Sequence, residues 1–233
     1  MERHMDQALT EVRQLLLRMG ALVEEMVTGA VQALIERDTE RSQDIRAQDA
    51  DVDQMQIDID RACETIMATQ QPTAVDMRFL VAVMKINTDL ERIGDLAVNI
   101  SKSVELLNEQ PPLKPYIDLP RLTQFVREMV SESLDSLVDR DTELASQVCR
   151  NDDRVDAMYE QLFRELLTYM IEDPKNVTRG LQLLFICRDL ERVADHATNI
   201  AEDVIFFVEG KDIRHLQAGD DTAAAVDTGS RSE

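Results

Sequence analysis

Two short strings of acids carry the chemistry open to this chain. Asp89-Leu90-Glu91-Arg92-Ile93-Gly94-Asp95, followed by Asn99-Ile100, returns later as Asp189-Leu190-Glu191-Arg192-Val193-Ala194-Asp195, followed by Asn199-Ile200. Each string sets a Glu and an Asp at positions i and i+4, which a helix brings to one face. Upstream of each string stands a second pair at the same spacing: Asp49 with Asp53, and Asp152 with Asp156. Carboxylates so spaced repel each other by roughly a few tenths of a kcal/mol in an isolated helix, so something should offset them.

Two offsets are open. Arg92 lies three residues from both Asp89 and Asp95, and Arg192 is placed likewise, which would build a surface salt-bridge lattice. Alternatively, Glu-x-x-x-Asp on one helix and Asp-x-x-x-Asp on its neighbour supply oxygen ligands that converge on a divalent or iron-type ion, with Mg, Mn, Fe and Zn all open. Each residue turns about 100° on a helix. With Leu90 at zero, the apolar seam centres near roughly 310°, and Glu91, Asp95 and Asn99 fall near roughly 100°, 140° and 180°. This places the stripe on the face away from the bundle core, and Glu191, Asp195 and Asn199 repeat it, with Asp203 extending the row.

Other chemistries find less support. A buried di-iron centre uses inward-facing Glu with Glu-x-x-His pairs. The histidines here are His4, His196 and His215, and none has a Glu three positions before it. There is no nucleophile elbow and no phosphate-binding loop, so no catalysis is expected. His196 beside Asp195 could ligate a metal or carry a proton. Its counterpart is Leu96, which favours a local hydrogen-bonding role.

The elements that must position these acids also come in duplicate. Ala33 to Glu40 matches Ser136 to Glu143, and Asp49, Val52 and Asp53 match Asp152, Val155 and Asp156. Self-similarity at a fixed period decides the architecture before any local reading does. Val12, Leu16, Met19, Val23, Met26, Ala30 and Ala33 step along a heptad-like seam, predicting a helix over 6–37. Val52, Met55, Ile59, Ala62 and Ile66 predict a second over 39–69, ended by Gln71-Pro72. A third, to about 107, carries Leu90, Ile93, Ala97, Ile100, Val104 and Leu107. The same order predicts helices over 119–139, 141–171 and 174–208, with Asp173-Pro174 as N-cap and first position and Gly210 as the stop. The expected fold is all-α: two tandem, pseudo-symmetric three-helix bundles over 1–110 and 121–210. A proline-rich linker (Pro111, Pro112, Pro115 and Pro120) joins them, and a small, polar tail over 211–233 is expected to be disordered.

Composition agrees. Of 233 residues only 4% are aromatic, with no Trp and seven Gly, which argues for long helices over a β-sandwich or a dinucleotide fold. A formal net charge of −21 repels phosphate backbones, excludes nucleic acid as a partner, and suits cations or a basic protein surface. Cys63, Cys149 and Cys187 are odd in number and far apart, so a reducing cytoplasm is expected, with each thiol a small core residue. Neither a signal peptide nor an apolar run near the ~20 residues that span a bilayer is apparent, so membrane association would go through partners.

These strings, with Gln70-Gln71-Pro72-Thr73-Ala74, Tyr169 to Pro174 and Val208 to His215, resemble the PhoU family of bacterial phosphate-specific transport system accessory proteins. The resemblance covers nearly the whole chain. It implies two three-helix bundles. It also implies an adaptor that negatively regulates phosphate uptake and the phosphate-starvation response. Its implied partners are the ATPase subunit of a phosphate ABC transporter and a membrane sensor histidine kinase. The family's Glu-x-x-x-Asp motifs bind metal clusters or divalent ions on the bundle surface. Carried over, the ligands are Glu91 with Asp95 and Glu191 with Asp195, to which we add Asp49, Asp53, Asp152 and Asp156. A homodimer suits such an elongated helical molecule. The alternative from the residues alone is a helical metal-binding or metal-buffering protein without a signalling partner.

Overall fold

The computed structural model describes residues 2–210. It consists of six long α-helices and one short 3₁₀ turn: α1 (Glu2–Glu36), α2 (Thr39–Thr69), α3 (Ala74–Asn108), α4 (Asp118–Asp139), α5 (Thr142–Glu172) and α6 (Val177–Glu209). No strand occurs among the described residues. The expected tail over 211–233 lies outside them. The seam residues predicted on α1 and α3 are all buried; on α2, Val52, Ile59 and Ile66 are buried, while Met55 and Ala62 pack against the core from its edge. Helices of this length are stable because their apolar faces are covered along the whole run, not because of propensity alone.

The ends are set by local chemistry. Asp38 caps α2 by accepting from the Arg41 amide, and Asp141 caps α5 by accepting from Glu143 and Leu144. Thr73 and Asp76 form a reciprocal capping box at the start of α3. Arg37 and Arg140 hold equivalent turns in the left-handed region, at φ 59° and 55°. The Arg37 guanidinium donates to the carbonyls of Asn108 and Gln110, contacts that offset the strain of a non-glycine there. Two predicted boundaries shift. Pro174 belongs to the 3₁₀ turn (Pro174–Asn176), where Asp173 accepts from Lys175, and α6 begins after it. Pro120 falls inside the first turn of α4, so the connection between the two sets of helices ends earlier than the prolines suggest. Gly210 ends α6 at φ 71°, as its position implied.

Helices α1–α3 form one bundle and α4–α6 the other. The two pack against each other through α3 on α6 and α1 on α4. At the second contact a β-carbon on Gly20 would come within 2.2 Å of Leu134 Cδ1, so glycine sets how closely α1 and α4 approach. The α3–α6 seam runs antiparallel. At one end Phe79 and Phe207 stack at 5.4 Å, covered by the guanidinium groups of Arg13 and Arg140. Nearer its middle, Asp89 Oδ1 lies 2.8 Å from His196 Nδ1 and accepts from Asn199 at 3.3 Å, while Lys85 pairs with Asp203 at 2.9 Å. His196 is thus a tie between bundles.

Candidate metal centres

Helix α3 sets Glu91 and Asp95 one turn apart, and the neighbouring helix α2 sets Asp49 and Asp53 one turn apart. The two pairs meet. Burial raises the pKa of Glu91 first, and the charges of Asp95, Asp53 and Asp49 raise it further. Asp49 is raised by burial and then by Asp53 and Asp95. The second bundle repeats this with Asp152 and Asp156 on α5 and Glu191 and Asp195 on α6. Asp152 is pushed up to about 6, by burial first and then by Asp195, Asp156 and Asp153. Glu191 and Asp195 are also raised, again by burial first and then by their neighbouring acids. Each bundle therefore gathers four carboxylates from two helices into one small field.

The orientation read from the helical wheel needs correction. The stripe is only partly on the outer face: the Asp95 side chain is 45% exposed and Asn99 is exposed, but the Glu91 side chain is only 17% exposed, on the flank toward α2. The wheel measured the angle from a single seam. A helix in a three-helix bundle touches two neighbours, and the second covers the flank where Glu91 stands. Tight approach helps, since a β-carbon on Gly94 would sit 3.2 Å from Val52 Cγ1. Its counterpart Ala194 is fully buried.

The two centres differ in their cations. In the first, Arg92 lies 3.4 Å from Glu91 and 2.9 Å from Asp95, which realises the salt-bridge lattice there. In the second, Arg192 makes no ion pair within 4.0 Å among the described residues.

Whether a metal fits can be asked of the donors themselves. Among the described residues, no three His, Cys, Asp or Glu side chains are drawn together closely enough to hold an ion as they stand. Two features nevertheless suit one. Every donor is a carboxylate oxygen, the preference of hard cations. Glu91 Oε2 is buried and accepts no hydrogen bond, because Arg92 approaches it without hydrogen-bonding geometry. In the second centre the Thr198 hydroxyl is close enough to Asp152 to favour its ionised form slightly, yet it is buried and completes no hydrogen bond. Polar atoms left without a hydrogen bond among several acids are what a bound cation would relieve. The residues fit, and Asp53, Asp156 and Asp195 are exposed enough to turn toward an ion. His196 faces the seam and is not among these donors. The three thiols are free; burial raises Cys63 and Cys187 to about 12 and Cys149 to about 11, so none is a ready nucleophile or ligand.

Comparison with known proteins gives a consistent result. The PhoU domain matches residues 16–104 and again 119–204. A phosphate-specific transport system accessory protein PhoU homolog of Pseudomonas putida is 42% identical over 209 residues, spanning 89% of this chain and 82% of the relative. The homolog of Aquifex aeolicus is 42% identical over 207 residues, spanning 89% and 94%. Among solved structures, PhoU from Pseudomonas aeruginosa superposes with a TM-score of 0.85 at 40% identity, covering 88% of this chain and 99% of its own. The phosphate transport system regulatory protein PhoU from Streptococcus pneumoniae superposes with a TM-score of 0.82 at 28% identity, covering 89% and 98%. With the duplicated motifs, the two three-helix bundles and these matches in agreement, the chain belongs to the PhoU family.

Proposed function

We propose that this chain is an adaptor in the regulation of phosphate transport, whose surface is conditioned by cations held in the two carboxylate centres. Its relatives are named as accessory and regulatory proteins of phosphate transport systems, which supports the coarse role. The finer reading is that it acts in the cytoplasm between the ATPase subunit of a phosphate ABC transporter and a sensor histidine kinase, restraining the kinase when phosphate is plentiful. No described helix is long and apolar enough to cross a membrane, so contact with membrane proteins would run through their cytoplasmic parts.

One observation carries the cation part: four carboxylates per bundle crowd together from two helices, with Asp152 raised to about 6. Glu91, Asp95, Asp49 and Asp53 would hold one ion, and Glu191, Asp195, Asp152 and Asp156 another. The bound ion supplies positive charge that cancels the mutual repulsion and fixes neighbouring helices as one docking face. The chain's part is to present oxygen donors from two helices, so that occupancy of the groove and the spacing of those helices are linked.

Co-purification of the transporter ATPase and the kinase with the full chain, with and without chelator, tests the reading. Capture that weakens on chelation supports it. A Glu91→Ala/Glu191→Ala variant that loses metal yet captures both partners and restrains the kinase normally would remove the metal from the docking mechanism.

A further inference from the structure

Two clefts open along the α3–α6 seam, and the internal repeat relates one to the other. The first is lined by Lys85, Thr88, Asp89, Asn199 and Asp203. The second is lined by Asn99, Lys102, Ser103, Arg188 and Arg192, with Phe185 and Asp189 completing the wall. Between equivalent positions, Lys85 becomes Phe185, Thr88 becomes Arg188 and Asp203 becomes Ser103, while Asp89 and Asn199 have Asp189 and Asn99 as counterparts.

The first cleft neutralises itself. Lys85 pairs with Asp203 at 2.9 Å, and Asp89 holds His196 and Asn199. The second does not. It brings two guanidinium groups and an ammonium group to one wall, against the single carboxylate of Asp189. Among the described residues none of the three cations has an ion-pair partner within 4.0 Å, and Lys102 reaches only Asn99 Oδ1 at 3.5 Å. The lining itself thus carries an excess of positive charge in a chain of net charge −21, while beyond the lining Arg188, Arg192 and Lys102 also act on Glu191, Asp195 and Asp49. Guanidinium groups present planar forks of N–H donors suited to the oxygens of phosphoryl groups, and Asn99 and Ser103 add short polar side chains. The cleft measures ≈ 370 Å³, within the range of small-molecule sites and roomy for a bare ion. The ring of Phe185, 46% exposed, gives it an apolar wall for the rest of a ligand.

We propose that this second seam cleft binds a phosphate oxyanion, free or as the phosphoryl group of a small molecule, with Arg188, Arg192 and Lys102 holding the oxygens and, for an ester, Phe185 packing against the ring it carries. The site borders the carboxylate centres, since Arg188 and Arg192 act on Glu191 and Asp195 and Lys102 acts on Asp49, but it uses none of their carboxylates. Because its walls come from α3 and α6, a ligand there would bridge the two bundles.

Calorimetric titration of the full chain with adenosine monophosphate, orthophosphate and adenosine, each before and after chelation, tests the site. Saturable binding of the monophosphate is expected. It should weaken at least about tenfold in Arg188→Ala and in Lys102→Ala, and should fall with ionic strength. Asp189→Asn removes the one opposing carboxylate and should tighten binding, a gain that misfolding cannot imitate. Orthophosphate binding as tightly as the monophosphate, with the same losses, assigns the cleft to the free ion; binding of the monophosphate alone assigns it to an ester. Both keep the phosphoryl group in this cleft. Four results overturn the proposal: no saturable binding of either phosphate, adenosine binding as well as its monophosphate, binding that ignores Arg188→Ala, or binding lost on chelation. The last would place the anion on a metal, and the others would leave the three cations as counter-charge for the nearby acids.

Discussion

The two carboxylate centres share a ligand pattern and differ in how each handles its own charge. In the first bundle Arg92 closes on Glu91 and Asp95 at 3.4 and 2.9 Å, so part of the repulsion is already met from within. In the second, Arg192 makes no such close pair: it lines the basic seam cleft and eases Asp195 only through its charge, and Asp152 rises to about 6. Duplication thus preserved donors while loosening the contact of the neighbouring cation. The second centre is the less compensated of the two and has more to gain from an external ion.

The largest expected effect that would sharpen this contrast is on cation affinity. Glu191→Ala with Asp195→Ala should reduce binding at the second centre by at least about 100-fold, since each of the two lost charged contacts is worth about 1.5–3 kcal/mol. The first centre should be untouched, as titrations of the single-centre variants would show. If both centres lose metal together, they are not independent sites and the contrast fails.

Core substitutions should treat the bundles alike. Leu90 and Leu190 are equivalent and fully buried, so Leu90→Ala and Leu190→Ala should each cost about 2–5 kcal/mol in denaturant unfolding. A large inequality would mean that the bundles differ in packing as well as in charge.

The pH response should separate the centres from ordinary surface acids. Asp152 has a folded pKa near 6 against an ordinary value of 3.8. Between those values the folded state binds more protons than the unfolded state, so the group's contribution to stability falls as pH rises through that window. Metal-free protein should therefore melt a few degrees higher near pH 5 than near pH 7.5. Added divalent cation should reduce the difference by stabilising the ionised cluster, and cation affinity should drop as pH falls through 6. A metal-free melting temperature that rises from pH 5 to 7.5 would contradict the crowding of these acids.

The smallest effects concern the residues that differ between copies. Arg92→Met should cost no more than about 1 kcal/mol without metal, because the guanidinium is half exposed, and should strengthen cation binding at the first centre. Arg192→Met should change the second centre less. Gly94→Ala converts the first motif to the second. It should cost about 1 kcal/mol, since Val52 must yield a few tenths of an ångström.

Much of this was legible in the chain. The seams of Val12 to Ala33 and Leu90 to Leu107 announced buried helix faces because burial imposes its period on apolar residues. Repetition then fixed the count of helices. The pairing of Asp49 and Asp53 with Glu91 and Asp95 was legible only as a possibility; in the structure the two stripes feel each other's charge, but no three of these carboxylates are drawn together. What the chain could not show was the flank. A wheel drawn for one helix cannot place a second neighbour, so Glu91 read as outward when it lies in a groove. Nor could it reveal His196 as the tie to Asp89, a contact across 107 residues with no counterpart in the other copy. The basic cleft was hidden for the same reason: Lys102 and Arg188 become neighbours only when α3 and α6 cross.

The most direct test is the metal content of the full chain, purified without chelator or histidine tag, measured by mass spectrometry. It would be run beside a Glu91→Ala/Asp95→Ala/Glu191→Ala/Asp195→Ala variant. Stoichiometric metal in the parent and none in the variant is the predicted result. Equal metal in both, or none in the parent even after incubation with Mg, Mn, Fe or Zn, would contradict the assignment and leave Arg92 and its fellow cations as the sole answer to the crowded acids.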